Sequence, residues 1–264
     1  MNAFADQVFG SPGYSTDIRL EPDELDAFVS EVEGQWLARI ESSAPDSAEH
    51  FREAGIAGYH EHAALVDHAA LWPKPYRVLP VDAVARIKAL GFLQRVRDAL
   101  GVFRIAEMVW ANRTEPGREE IYWRLVRPNA PDDVGPLHAD TWFHETVADG
   151  AGQFSADEVT VKLWIALKTE AGRNGLLVVP DSHRAAVPHE TVMRDGTAKP
   201  QIGTLPPGLE PVLVPAGPGT IVAFNERLIH GGAVNRGSRT RVSAEITLVF
   251  PKSTIASLSA EARG

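Results

Sequence analysis

A series of short apolar runs, separated by turn residues, constrains the fold of this chain more than any other feature. The runs are rich in Val, Ile, Leu and aromatic residues, and Gly, Pro, Asn and Asp lie between them. They cover residues 103–111, 121–126, 159–167, 176–179, 211–215, 220–224 and 242–250. Short strands between such turns are typical of antiparallel barrels and sandwiches. We therefore predict a mainly β fold.

The N-terminal part of the chain has a helical pattern instead. From Glu21 onward, apolar residues recur every three to four positions, and Pro22 stands where the first helical turn is expected. Two further helices are predicted near residues 82–90 and 91–100, divided by Gly91. We expect these helices to form a layer that packs outside one sheet of the β region.

Charge and composition exclude several classes of function. The formal net charge of -9 opposes binding to nucleic acid, because that affinity comes largely from Lys and Arg at phosphates. No apolar run approaches the roughly twenty residues that span a bilayer. The first residues lack the basic end and apolar core of a signal peptide. We therefore expect a cytoplasmic protein with a small-molecule substrate, and neither nucleic acid nor membrane as a partner; the sequence does not specify an oligomeric state.

A metal-ligand motif lies in the segment 135–142, where His138 and Asp140 are separated by one residue. In an extended segment the two side chains point to the same face and can bind one ion. The chain has no cysteine, so a metal would be held by imidazole and carboxylate groups. Two histidines and one carboxylate hold a divalent ion on one face and leave the other positions open. These ligand types admit iron, manganese, zinc or cobalt.

A second motif lies about ninety residues later, where His230 precedes two glycines and Arg241 follows His230 by eleven residues. Arg241 and Ser243 have the same parity on the last predicted strand, so both can face the interior. The planar fork of an arginine matches a carboxylate in bidentate fashion. This pair is therefore a candidate carboxylate site.

Residues 121–250 resemble the phytanoyl-CoA dioxygenase family of iron(II)/2-oxoglutarate oxygenases. The resemblance includes the His138-x-Asp140 pair, the distal His230, Arg241 and the segments 161–167 and 174–183. The family's usual Pro-Gly-Ser-His ending is changed here, because Asp181 replaces the glycine. The resemblance implies a double-stranded β-helix (jelly roll, cupin-like) with an N-terminal helical layer. We predict a single oxygenase domain over 1–264, in which 1–120 are mainly helical support and 121–254 form the jelly-roll core with the metal site.

The resemblance also implies the chemistry and the site residues. His138, Asp140 and His230 would be the catalytic metal ligands for Fe(II), and Arg241 with Ser243 would bind the co-substrate 2-oxoglutarate. Trp164 occupies the position of a tryptophan that lies beside the co-substrate in the family. With O2, such an enzyme hydroxylates a small metabolite or natural-product intermediate and releases succinate and CO2.

Other residues are candidates from their positions alone. Lys162 shares the face of Trp164 and is costly to bury unpaired, so we expect it to contact a carboxylate or the substrate. If the chain stays extended past Asp140, Trp142 and His144 also point toward the metal and are substrate candidates. Arg124 and Arg127, on the preceding strand, are alternative contacts for an anion.

Two other classes of function fit parts of the pattern. A non-catalytic, cupin-like barrel that binds a small ligand would require His138, Asp140 and His230 not to converge. A metal-dependent hydrolase would use the same three residues with water in the fourth position. That second class leaves Arg241 and Ser243 without a role.

Overall fold

The computed structural model describes residues 3–110, 113–146, 154–194 and 197–254. Its α-helices are α1 (Ala3–Phe9), α2 (Pro22–Ser43), α3 (Ala48–Ala54), α4 (Tyr59–His62), α5 (His68–Leu71), α6 (Val81–Lys88), α7 (Gly91–Leu100) and α8 (Asp140–Thr146). Its strands are β1 (Tyr14–Ser15), β2 (Arg104–Ile105), β3 (Glu107–Trp110), β4 (Arg113–Glu119), β5 (Ile121–Val126), β6 (Glu158–Lys168), β7 (Leu176–Val178), β8 (His189–Arg194), β9 (Thr197–Ile202), β10 (Val212–Leu213), β11 (Ile221–Asn225), β12 (His230–Gly232) and β13 (Arg241–Pro251).

The largest sheet is antiparallel and has the order β1-β11-β6-β13-β2, with β5 paired to the first half of β13. Strands β6 and β13 form its centre, where Glu245 lies opposite Trp164 and Thr247 lies opposite Lys162. A bulge between Val242 and Ser243 shifts the register near the start of β13. Because side chains alternate along each strand, this sheet has two distinct faces.

One face of the main sheet packs against the helices. Leu163 and Ile165 of β6 and Ile246 of β13 join Phe28 and Trp36 of α2 in one buried apolar cluster. The opposite face contains Trp164 and packs against a smaller antiparallel sheet with the order β10-β7-β12. We call the space between the two sheets the interior.

The predicted jelly roll with an outer helical layer is confirmed. Within the described residues, the two sheets face each other without closing into a barrel. The N-terminal segment also contributes strands, since β1 pairs with β11 and β2 pairs with the end of β13. No described helix combines the length and the apolar character needed to span a membrane.

Helix α2 begins with a capping box. The backbone N–H of Glu21 donates to the Glu24 carboxylate at 2.8 Å. Glu24 also accepts a hydrogen bond from Arg95 of α7 at 2.5 Å, so the two longest helices of the layer are joined at this end. This arrangement satisfies a free donor at the helix start and orients α2 against α7.

Three segments differ from the expectation or extend it. The chain does not stay extended past Asp140, because α8 begins there. The long connection 184–210 contains the hairpin β8–β9. Asp181 has φ 62, in the left-handed region that glycine adopts without steric cost, so the residue that replaces the family's glycine has a glycine-like backbone conformation.

Candidate metal centre

His138, Asp140 and His230 converge in the interior. Asp140 Oδ1 lies 3.8 Å from His138 Nε2 and 3.7 Å from His230 Nε2. One ligand atom from each residue lies within 4.8 Å of the others. Two reciprocal backbone hydrogen bonds of 2.9 Å between His138 and His230 hold the two segments together. The sequence-distant histidine is therefore fixed beside the His-x-Asp pair by main-chain pairing.

Backbone carbonyl groups set the tautomers of both histidines. His138 Nδ1 donates to the carbonyl oxygen of Pro136 at 2.9 Å, and His230 Nδ1 donates to that of Leu228 at 2.9 Å. A carbonyl oxygen only accepts, so the proton of each neutral ring is on Nδ1 and the lone pair is on Nε2. Both lone pairs are thus available on the atoms that face Asp140.

The electrostatics of the centre favour neutral imidazole. Burial, reinforced by the neighbouring His230, lowers the pKa of His138 to about 4. The side chain of His230 is 8% exposed, and that of Asp140 is 17% exposed. A neutral imidazole is the form that binds a metal ion.

Arg241 crosses the interior from the main sheet to the smaller one. Its Nη1 donates to the carbonyl oxygen of Gly175 at 2.7 Å, and its guanidinium lies 5.8 Å from the centre of the Trp164 ring. The residue is 2% exposed. Burial, together with the charge of Arg124, lowers the pKa of Arg241 to about 10. A buried guanidinium without a carboxylate partner favours an anionic ligand.

Three buried polar atoms near this arginine have no hydrogen-bond partner among the described residues. They are Arg241 Nε, Ser243 Oγ and Thr220 Oγ1. Ser243 is the cross-strand partner of Ala166, and the N–H of Ala166 donates to the carbonyl of Thr220. Buried polar groups without partners are rare in folded proteins, and a group of them indicates a ligand. Ala166 therefore lies between the strand positions of the two hydroxyl-bearing residues.

Lys162 contacts the carboxylate of the centre. Its Nζ lies 3.5 Å from Asp140 Oδ2 and donates to Thr247 Oγ1 at 2.8 Å. The expected carboxylate contact of this lysine is therefore to Asp140 within the protein. The predicted contact between Lys162 and the co-substrate is not tested by this geometry and stays a prediction.

The remaining predicted residues occupy different surroundings. Trp164 is buried in the interior cluster with Phe224 of β11. Trp142 is 7% exposed and stacks on His189 of the β8–β9 hairpin, with ring centres 4.5 Å apart. Arg127 forms a bidentate ion pair with Asp133.

The substrate contacts predicted for three residues stay predictions. The side chain of His144 lies outside the part of the chain that the structure describes. The helical path of α8 removes the alternation that supported Trp142 and His144. The Arg127 guanidinium already has a carboxylate partner.

Sequence reasoning missed Thr220 and Glu245. Thr220 has the same parity as Val222 and Phe224, which face the interior, so a polar residue at that strand start was an available signal. Glu245 follows Arg241 and Ser243 in the same alternation. Glu245 accepts a hydrogen bond from Arg124 at 2.6 Å. Burial raises the pKa of Glu245, but the charges of Arg124 and Lys162 outweigh burial and lower the pKa to about 2.

The residues present fit an iron(II) ion with a chelating oxoacid. Two imidazole nitrogens and one carboxylate form one ligand face. Arg241 is buried on the same sheet face as two hydroxyl groups that have no hydrogen-bond partner among the described residues. A jelly roll with this site defines the class of iron(II)/2-oxoglutarate-dependent non-haem enzymes. The model of the family Phytanoyl-CoA dioxygenase (PhyH) matches residues 12–243. The chain belongs to the phytanoyl-CoA dioxygenase family.

Solved structures confirm the fold. The non-heme monooxygenase ThoJ, in its apo form, has 14% sequence identity and a TM-score of 0.52, over 94% of this chain and 79% of that one. The epimerase SnoN, in complex with Fe3+, alpha ketoglutarate and nogalamycin RO, has 15% identity and a TM-score of 0.52, over 96% of this chain and 86% of that one. A search of curated protein sequences finds no match.

Proposed function

We propose that this protein is an iron(II)/2-oxoglutarate-dependent dioxygenase that hydroxylates a small molecule and releases succinate and CO2. The observation that carries the proposal is the convergence of His138, Asp140 and His230 in the same interior as the buried guanidinium of Arg241. Among the described residues this guanidinium has no carboxylate partner. SnoN, which shares the fold, holds iron and alpha ketoglutarate in its structure. Iron and alpha ketoglutarate therefore occur together in a protein with this fold.

The three ligand residues would hold iron(II) through His138 Nε2, His230 Nε2 and Asp140 Oδ1. Their tautomers and orientations are already set by the carbonyls of Pro136 and Leu228 and by Lys162. Such preorganisation limits the entropy lost when the ion binds. When bound, iron(II) with 2-oxoglutarate and O2 supplies the oxidising power to replace a C–H bond with C–OH.

Arg241, Ser243 and Thr220 would bind the carboxylate of 2-oxoglutarate that is remote from the metal. The Arg241 fork supplies charge and bidentate geometry, and each hydroxyl supplies one donor. Trp164 lies under the guanidinium and closes the apolar side of the pocket with Phe224. These apolar walls exclude water around the carboxylate, which strengthens the ion pair.

The alternative classes fit the site less well. A non-catalytic binding barrel was expected to lack convergence of the three ligands, and they converge. A metal-dependent hydrolase has no use for a buried arginine with two unpartnered hydroxyl groups. We also propose that the whole chain is one domain, which the pairing of β1 and β2 with the main sheet supports, and that it is cytoplasmic.

The reaction outcome is tested by product analysis under ¹⁸O2. Iron-loaded protein with 2-oxoglutarate is screened against small metabolites for succinate release, with the His230→Ala variant as the control. Hydroxylation predicts that each turned-over substrate gains one oxygen atom and that this atom carries the label. Succinate release with an organic product of unchanged mass, such as an epimer, would contradict hydroxylation.

A further inference from the structure

A row of charged side chains crosses the interior face of the main sheet and ends beside the metal centre. Lys162 of β6 lies at the inner end, followed by Glu245 of β13 and Arg124 of β5. Arg77 and Lys74 reach over the outer edge of β5 from the segment before α6, where Val78 pairs with Tyr122. We call these five charged residues the interior charged row.

Most members of the interior charged row have a carboxylate partner. Arg124 Nε donates to Glu245 at 2.6 Å, and Lys74 Nζ lies 2.7 Å from the Glu120 carboxylate. Lys162 faces Asp140 at 3.5 Å. Lys74 and Arg124 thus neutralise Glu120 and Glu245, and these two acids present little net negative charge to the interior.

Arg77 is the exception among the described residues. Its Nε donates to the carbonyl of Trp72 at 2.8 Å, and its Nη1 donates to that of Trp123 at 3.5 Å. Neither partner carries a charge, and burial lowers the pKa of Arg77. A half-buried cation whose hydrogen-bond acceptors are only backbone carbonyls leaves a local positive surplus.

Arg124 presents its outer edge to the same space. Its Nε donates to Glu245, and among the described residues its Nη groups have no hydrogen-bond acceptor. The side chain of Arg124 is 38% exposed, so part of it is accessible to a ligand. Arg124 is the cross-strand partner of Ser243, so it lies on the interior face of the main sheet and borders the proposed co-substrate pocket.

Both arginines contact the ring of Tyr122. The guanidinium of Arg77 lies 4.8 Å from the centre of the Tyr122 ring, and that of Arg124 lies 4.9 Å from it. The ring is 5% exposed and buried against Val78 and Met108, so it is a fixed support. Stacking on an aromatic ring orients a guanidinium plane without using its N–H donors.

We propose that Arg124 and Arg77 form an oxyanion subsite for the substrate, and that the substrate is therefore an acidic small molecule with a carboxylate or phosphate group. The inference rests on the proposed function, because it places the reacting C–H bond between this subsite and the ligand triad. Two guanidinium forks on one ring match the several acceptor oxygens of such a group. Arg241 is left for the co-substrate because it is bonded to Gly175, whereas the guanidinium of Arg124 is bonded to Glu245 and lies against Tyr122.

Charge balance supports an acidic ligand. Iron(II) and the two carboxylates of 2-oxoglutarate cancel, and Asp140 is offset by Lys162. The remaining cations are Arg241, Lys74, Arg77 and Arg124, and the remaining acids are Glu245 and the neighbouring Glu120. Binding of a monoanion or dianion would remove this surplus of positive charge from the interior.

The test compares two probes of nearly equal shape. Benzoate carries a carboxylate, and benzamide is its neutral counterpart; phenyl phosphate distinguishes a phosphate site from a carboxylate site. Each probe is titrated by ligand-observed NMR into protein loaded with Zn(II) and 2-oxoglutarate. We expect at least one of the two anions to bind about tenfold or more tightly than benzamide, as charge-assisted hydrogen bonds imply.

Variants assign the effect to the subsite. Arg124→Gln and Arg77→Gln are expected to reduce the preference for the anion, whereas Arg86→Gln, on the outer surface of α6, leaves it unchanged. Glu245→Gln is expected to tighten anion binding several-fold, because it removes the competing carboxylate from Arg124. A merely structural role of the pair would not produce this gain.

The outcomes separate this inference from the proposed function. Equal binding of all three probes to protein that binds 2-oxoglutarate would overturn the oxyanion subsite alone. Displacement of benzoate by 2-oxoglutarate would also overturn it, since the anion would then occupy the Arg241 pocket. Anion preference that depends on Arg124, in protein that binds neither metal nor 2-oxoglutarate, would support the subsite and contradict the oxygenase assignment.

Discussion

Lys162 Nζ lies 3.5 Å from Oδ2 of Asp140, while Oδ1 of the same carboxylate faces the two histidine nitrogens. The lysine is itself fixed by its hydrogen bond to Thr247. One oxygen of Asp140 is thus held by the protein, and the other is directed toward the proposed metal position. Because the two oxygens of Asp140 have different partners, Lys162 is a positioning residue for the metal ligands.

Replacement of Lys162 by Met is predicted to weaken metal binding by about ten- to a hundredfold, the usual effect of losing an outer partner of a ligand. The affinity for Co(II) is measured by its visible absorption in protein without 2-oxoglutarate. Lys168→Met is the matched control, because Lys168 ends the same strand and pairs with Glu33 of α2 on the helical side. Equal affinity of the Lys162→Met variant and the unaltered protein would show that Lys162 does not position Asp140.

Replacement of Arg241 by Lys is predicted to raise the Kd for 2-oxoglutarate by about tenfold or more, although the charge is kept. The ammonium group lacks the planar fork that binds a carboxylate in bidentate fashion. Calorimetric titration of the iron-loaded protein under anaerobic conditions gives the Kd. The metal affinity should not change, and a loss of metal binding in this variant would contradict separate metal and co-substrate pockets.

Replacement of Ser243 by Ala is predicted to leave the unliganded protein as stable as before, because Ser243 Oγ is buried and has no hydrogen-bond partner among the described residues. The same change should reduce the rise in Tm that 2-oxoglutarate produces in the metal-loaded protein. Thr220→Val tests the second hydroxyl in the same way. If both variants lose stability without ligand and keep the full ligand-induced rise, the hydroxyl groups serve the fold rather than the co-substrate.

Replacement of Glu24 by Gln is predicted to lower the free energy of unfolding by about 1 to 2 kcal/mol at neutral pH, with allowance for the partly exposed Arg95. Burial opposes ionisation, but the bonds from Arg95 and Glu21 outweigh it and lower the pKa of Glu24 from its ordinary 4.5. The charged form therefore stabilises the fold above that value, and the stabilisation is lost as the pH falls through the lowered pKa.

Urea denaturation at neutral and acidic pH measures this effect. The difference between the Glu24→Gln variant and the unaltered protein should shrink as the pH falls below 4.5. Asp26→Asn, on the exposed face of the same helix, is the control and should change stability by less than about 0.5 kcal/mol. A difference that is constant with pH would contradict the role of the Glu24 charge.

The parts of the fold that were predictable from sequence are those with local signals. The alternation of side chains along β6 and β13 distinguishes the interior face from the face that packs against the helices. The one-residue spacing of His138 and Asp140 indicates that both belong to one metal site. The path after Asp140 was not predicted, because an acid at that position also favours a helix start. The local pattern did not decide between these two conformations.

The less predictable features depend on contacts between distant segments. Nothing in the residues around Thr220 indicates that its hydroxyl lacks a partner, since this depends on Ala166 and Ser243 on neighbouring strands. Arg77 belongs to a short helical segment that is distant in sequence from the metal-ligand motifs, yet it contacts the same Tyr122 ring as Arg124. Such neighbours are set by the register and packing of the sheet.

The most direct measurement is the anaerobic titration of metal-free protein with iron(II) and then 2-oxoglutarate, followed by visible absorption, with His138→Ala as the control. The account predicts a weak charge-transfer band of the iron chelate, which appears only after 2-oxoglutarate is added and is absent in the variant. A well-folded, iron-loaded protein that gives no band would contradict the co-substrate assignment, and a band that persists in His138→Ala would contradict the proposed ligand set.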